Sequence, residues 1–314
     1  METKNYRTSF LGNGMDLFKI QLVNFILTLV TLGFYYPWAK AKKLQYLYSN
    51  STLEEHPFAF TGTGKEMFKG FIKAIILFII AYTVFAVLIF SNHSVIGLLF
   101  FYLFLLLILP FAIHGSYRYR MSKTVWKGIR FGYSGDLKEL IQLFFKGIFL
   151  TIITFGIYGA WFATNLRSYL LGNIKMGNAN FSYKAEGDDF FWMNIKGYLL
   201  TIFTLGIYFF WWQKQSFEFL INNTVLIKDE KIIHLQSKAK VSDFFSLLII
   251  NLLIIIFTLG IGYAWVVVRN MNFITNNVEL EGNINLDSLM QTQEEYSNAT
   301  GEDMADMLDL GLTI

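Results

Sequence analysis

The sequence predicts a polytopic α-helical membrane protein built from internal repeats, with a small cytoplasmic cap of β-hairpins. Three observations predict it. Of 314 residues, 54% are hydrophobic, 18% aromatic and only 16% charged, whereas soluble domains are about 25% charged. Segments 71–90 and 95–113 are nearly uncharged runs of about 20 residues, which span roughly 30 Å as helices. One phrase also recurs: Thr31-Leu32-Gly33 with Trp38, Thr154-Phe155-Gly156 with Trp161, Thr204-Leu205-Gly206 with Trp211, and Thr258-Leu259-Gly260 with Trp265. In each copy Gly follows Thr by two positions and Trp follows it by seven.

Taken in order, Tyr6 to Phe10 predicts a short strand and Gly12-Asn13-Gly14 a turn. Leu17 to Val30 forms an apolar helix up to the first phrase. Pro37 suits the first turn of the next helix, where a missing N–H costs nothing. That helix, Ala39 to Ser49, gives way to two short alternating stretches up to Gly64, which predict a hairpin. Four further units follow the same order. Their hairpins lie at 124–135, 174–185, 224–235 and 278–286, the last turning at Glu281-Gly282-Asn283. The units run about 6–64, 65–135, 136–186, 187–238 and 239–286, and an acidic tail covers 287–314. Thr-Leu-Gly is common in apolar sequence. Four copies with Trp at one offset and a hairpin after each make coincidence a poor account.

The run Thr31-Leu32-Gly33-Phe34-Tyr35-Tyr36-Pro37-Trp38-Ala39-Lys40-Ala41-Lys42, with Phe58-Ala59-Phe60-Thr61-Gly62-Thr63-Gly64 after it, resembles the YjgN-like family of bacterial inner-membrane proteins. The second unit supports this with Ile129-Arg130-Phe131-Gly132-Tyr133, and the likeness is weaker over 137–286. The last copy departs from the pattern, with Gly262 where Tyr35, Tyr158 and Tyr208 stand in the others. The resemblance implies an inner-membrane location and imports no activity, since the family's function is unknown.

Cations concentrate at the hairpins and adjoining helix ends, among them Lys65, Lys69, Arg118, Arg120, Lys127, Lys175 and Lys238, while the turns between paired helices carry no charge. The positive-inside rule then places the hairpins and both termini in the cytoplasm, and the Trp and Tyr of the turns at the opposite interface. Ten membrane-entering helices are expected. The second helices of units one, three, four and five are short, however, and about 15 residues reach only about 22 Å; they span a thinned or water-filled region, belong to partly re-entrant pairs, or lie flat on the surface, so that full crossings number as few as five or six. The first apolar helix is expected to act as an uncleaved insertion signal, because the polar N-terminus lacks signal-peptide features.

Lys40, Lys43, Arg167, Lys214 and Arg269 stand at related places in those short helices. Cations inside a membrane usually face the bundle interior or water, so these are candidates for an anion path or a site for lipid head groups. The competing reading is snorkelling to the nearest interface. Gly33, Trp38, Gly156, Trp161, Gly206, Trp211, Gly260 and Trp265 are expected to be structural, ending one helix, reversing the chain and starting the next.

No enzyme is predicted. Cysteine is absent, which removes thiol nucleophiles and thiolate metal sites. Thr61-Gly62-Thr63-Gly64-Lys65 lacks the Gly and Ser/Thr of a phosphate loop, having Ala59 and Glu66 there. His56, His93, His114 and His234 have no metal-ligand spacing. No catalytic residue, metal, cofactor or nucleic-acid partner is expected. The partners expected are the lipid bilayer, an anionic small molecule or lipid, and a cytoplasmic protein recruited by the acidic tail. Two functions follow: a transporter or channel-like protein for an anionic or amphiphilic solute, or a non-catalytic membrane scaffold or sensor.

Overall fold

The computed structural model describes residues 4–291. Its ten helices come in pairs: α1 (Gly14–Val30) with α2 (Tyr36–Ser49), α3 (Gly64–Phe90) with α4 (Ser94–Lys123), α5 (Leu137–Ile153) with α6 (Gly159–Gly172), α7 (Gly187–Phe203) with α8 (Phe209–Asn222), and α9 (Val241–Phe257) with α10 (Tyr263–Asn277). Two short strands precede α1: β1 (Lys4–Tyr6) and β2 (Thr8–Phe10). After α2, α4, α6 and α8 come β3 (Ser51–Leu53) and β4 (His56–Phe60), β5 (Thr124–Trp126) and β6 (Ile129–Tyr133), β7 (Ile174–Met176) and β8 (Ala179–Tyr183), and β9 (Thr224–Lys228) and β10 (Lys231–Ser237). β11 (Val278–Gly282) follows α10.

Local chemistry sets these boundaries. Asn13, Thr63 and Asp136 accept the amide of the residue three positions on, capping α1, α3 and α5, and the acids in those first turns suit the positive end of a helix. At the other end of the short second helices, Asn50, Asn173, Asn223 and Asn277 each return a side-chain N–H to the carbonyl four residues back, at 2.8–2.9 Å. The reversals are alike too. The Thr31 hydroxyl donates to the Leu27 carbonyl at 2.7 Å and accepts the Tyr35 amide at 2.9 Å. Gly33 (φ 93°) takes the left-handed conformation that closes the turn, as Gly156, Gly206 and Gly260 do.

The strands form one antiparallel sheet in the order β1-β11-β10-β9-β8-β7-β6-β5-β4-β3-β2. β1 and β2 are consecutive, broken only at Arg7, so one N-terminal strand borders both ends of the list. Its first half pairs Lys4 with Gly282 and its second pairs Thr8 with Leu53. The sheet is therefore closed except at that single residue. Glu54 fastens the break: its amide donates to the Arg7 carbonyl at 2.8 Å, and its carboxylate accepts the Arg7 amide at 2.7 Å and the Lys4 ammonium at 2.8 Å. Burial opposes the charge on Glu54, but these donors outweigh it and hold its carboxyl below the usual carboxylate range.

Side chains fill the interior. Trp126, Met176, Ala179, Leu226 and Ile233 are buried there, and the indole N–H of Trp126 lies 3.3 and 3.2 Å from the Leu53 and His56 carbonyls. The segment after β11 adds Ile284, Leu286 and Leu289 to this core. Asp287 pairs with Lys127 at 2.7 Å, and Lys228 donates to the Ser288 carbonyl at 2.6 Å. The chain thus crosses the sheet beside its hairpin turns.

Helix contacts run in sequence from α1 to α10, and α10 returns to α1, which closes a ring of helices beside the closed sheet. The second helices tie the two layers, with α2, α4, α6, α8 and α10 packing on β4, β6, β8, β10 and β2.

This architecture corrects the polytopic helical prediction. Among the described residues only α3 and α4 are long and apolar enough to cross a membrane. The first helices of the other pairs have 17 residues, about 25 Å, and their partners 14 or 15. The β component is a closed eleven-stranded sheet, larger than the small cap of hairpins expected. The fifth hairpin does not form either. Val278–Gly282 is a single strand, and the N-terminal strand supplies the partner expected from 283–286. The acidic tail is described only to Gln291; Glu294, Glu295, Glu302, Asp303, Asp306 and Asp309 lie outside the described residues.

Candidate anion-binding cavity

Of the five candidate cations, Lys40 and Lys43 come together. They share one face of α2, three residues apart, where Cβ atoms lie roughly 5–6 Å from each other. That face meets Gln21, Asn24, Phe25 and Thr28 of α1, and Arg120 arrives from the end of α4. Together with Tyr36, Ala39, Leu44 and Leu47 these residues line a cavity of about 510 Å³. Three cations and two amides thus share a wall with apolar and aromatic side chains, and among the described residues no carboxylate lines it. Lys43 Nζ also lies 5.4 Å from the centre of the Tyr263 ring on α10.

Asn24 is buried, at 6% exposure, in the middle of an apolar helix. Its Nδ2 donates to the Ala39 carbonyl at 3.2 Å. That carbonyl can only accept, which fixes the amide's orientation. Oδ1 has no hydrogen-bond partner among the described residues. A buried acceptor left in this way is disfavoured by about 1–3 kcal/mol.

The other three cations have separate, local surroundings. The Arg167 guanidinium lies 5.4 Å from the Phe190 ring and faces Tyr183. Burial pushes the Tyr183 hydroxyl up, and the Arg167 charge offsets part of that rise. Lys214 pairs with Glu218 one turn along α8. Arg269 donates through Nε to Asn251 Oδ1 at 3.2 Å, joining α10 to α9. None of these three lines the cavity of Lys40 and Lys43.

The tryptophans of the recurring phrase join one helix pair to the next. Trp38 packs on Phe68, Trp161 on Phe191 and Trp265 on Phe18, with ring centres 5.0–5.3 Å apart. Each also lies against the glycine that begins the neighbouring helix: Gly64, Gly187 and Gly14. A Cβ at any of them would fall within 2.4 Å of an indole atom, so the close approach requires glycine. Trp211 is 43% exposed and follows a different pattern.

Sequence reasoning missed Arg120, Gln21 and Asn24 as site residues. Arg120 had counted only as a cation for topology. The available signal was Gln21 and Asn24, two amides three apart on one face of an otherwise apolar helix.

A protein-family profile described as "Bacterial protein of unknown function (DUF898)" matches residues 5–195 and 227–307. The chain belongs to that family. It is also similar to proteins named "Inner membrane protein YjgN": 38% identical over 138 residues to the one from Salmonella typhimurium, covering 44% of this chain and 34% of that protein. The corresponding protein of Escherichia coli O157:H7 is 30% identical over 153 residues, covering 48% and 37%. The chain therefore spans about a third of the length of these relatives. No solved structure matches it.

Proposed function

We propose that the protein resides in the bacterial inner membrane and binds an anionic or amphiphilic solute in the α1–α2 cavity, as a non-enzymatic step in moving it. The observation that carries this reading is the meeting of Lys40, Lys43 and Arg120 beside Phe25, Leu44 and Leu47. The three cations offer donors to an anionic head, and the apolar wall suits an attached hydrocarbon. The packed sheet interior favours entry from the side over passage along the sheet axis. The relatives' name and the length of α3 and α4 support the membrane location. The cations at the sheet-proximal helix ends support a cytoplasmic sheet.

The test is binding of a fluorescent anionic amphiphile to protein in zwitterionic detergent. The triple variant Lys40→Gln, Lys43→Gln, Arg120→Gln is expected to weaken binding at least tenfold and to leave the melting temperature within a few degrees. Lys214→Gln should bind like the parent. Equal affinity in the triple variant removes the site.

A scaffold or sensor is the second reading. The observation favouring it is the segment 283–291, which fills the sheet and brings the chain out beside the hairpin turns, where a tail can meet a partner.

A further inference from the structure

Two kinds of helix pair share one ring, and they differ in how far they run without charge. Along α3 the last cation is Lys73, and Ala74 to Phe90 adds about 26 Å of uncharged helix; α4 continues uncharged from Ser94 to Tyr117, about 36 Å. Each exceeds or approaches the roughly 30 Å of a hydrocarbon core. In the four short pairs the helix leaving the reversal meets a cation early. Lys40, Lys214, Arg269 and Arg167 stand about 6, 8, 9 and 12 Å along α2, α8, α10 and α6 from their first residues. All are less than the half-thickness of about 15 Å.

The short reversals are nevertheless strongly apolar at their ends. Leu32, Phe155, Leu205 and Leu259 are 89–98% exposed, and Phe34, Ile157, Ile207 and Ile261 beside them are at least half exposed. In water four such tips are unfavourable. For the first tip, the occupant is indicated by what it adjoins. Phe34 packs on Phe68 and Phe71 of α3, at 6.5 and 6.3 Å, so the first tip touches the long pair just before its uncharged stretch. The tip is continuous with the surface that α3 offers to lipid, and α3 runs on from Phe71 for about 28 Å along its axis.

We infer that the four short reversals dip into one leaflet only, to about 10 Å, while the α3–α4 pair alone crosses the bilayer. The closed helix ring then acts as a shallow, multi-point anchor around one spanning hairpin, with the sheet held in water on the side it dips from. This rests on the membrane location proposed above and goes beyond it by assigning a depth to each pair.

The absence of cysteine makes the test direct. Single variants Leu32→Cys, Phe155→Cys, Leu205→Cys and Leu259→Cys are compared with Asn92→Cys, at the α3–α4 reversal, and Gln236→Cys, on exposed β10. A membrane-impermeant maleimide is applied to right-side-out and to inverted vesicles. Asn92→Cys and Gln236→Cys should label from opposite faces. The four tips should label from neither face until detergent is added. A tip labelled from the Asn92 face means that its pair crosses, and one labelled from the Gln236 face means that it lies in water; either overturns the inference and leaves the membrane reading standing. If Asn92→Cys and Gln236→Cys label from the same face, both fall. Tips that remain protected in dilute detergent and cross-link between chains on oxidation assign the surface to a second copy, which also overturns the inference.

Discussion

The sheet and the helix ring have the same connectivity and bury their side chains very differently. Trp126, Ala179 and Ile233 at the sheet core have no measurable exposure. Around the ring, α8 buries no residue, α7 only Gly197 and α9 only Phe244, while Phe203, Phe257 and Leu259 are 79–91% exposed. The sheet is thus an ordinary water-excluding core. The helices hold their apolar atoms outward, as surfaces that meet a membrane or a partner do. The second helices, packed on the strands, join the two halves.

Breaking this comparison is easiest at the sheet core. Trp126→Ala removes the largest buried side chain together with its indole hydrogen bonds. A loss of roughly 3–5 kcal/mol is expected, read as a lower denaturation midpoint by circular dichroism in detergent. A loss under about 1 kcal/mol would show that the sheet owes its stability to the helices.

An intermediate effect is expected at the closure. Because bound donors depress the Glu54 carboxyl, its contribution is present above the unfolded value of about 4.3 and lost as pH falls through the folded value. Glu54→Gln should therefore melt below the parent at neutral pH, and the two should converge as pH falls below the folded value. A difference independent of pH would assign the effect to geometry rather than charge.

The smallest effect on folding should come from Phe155→Ser, at a site 98% exposed. Stability in detergent is expected to change by less than about 0.5 kcal/mol, while retention on alkaline-washed membranes falls. A large loss of stability would mean that the tip is a packed element after all.

Much of the layout was legible because its signals are local. The four phrases placed the reversals at Gly33, Gly156, Gly206 and Gly260, and the hairpins expected at 174–185 and 224–235 form, turning at Gly177-Asn178 and Asp229-Glu230. The fifth hairpin was not legible. Asn283 after Gly282 looks like a turn, and nothing near it signals that its partner lies at Lys4–Tyr6. The number of membrane-length helices was overstated because apolarity alone does not separate α9 from α3, whereas a length of 17 residues against 27 does. In the candidate site, spacing along one helix identified Lys40 with Lys43. The proximity of Arg120, set by the fold through α4, lies beyond any pattern in the sequence.

The single strand shared by β1 and β2 also sets the order of assembly. Tyr6 donates its hydroxyl to the Ile284 carbonyl, 278 residues away, and closing a flexible loop of that length costs about 5 kcal/mol beyond a constant term. At roughly 5–20 residues per second, Phe10 waits about 15–55 s on the ribosome before Gly282 is made. β2 can dock on β3 early, but β1 and the growing edge of the sheet stay unpaired throughout that interval. An open edge is a template for another chain. Expression at high levels or truncation ahead of β11 should therefore favour aggregates rich in intermolecular strand pairing, and early insertion of α3 and α4 into a bilayer would keep nascent copies apart while the last strand is synthesised.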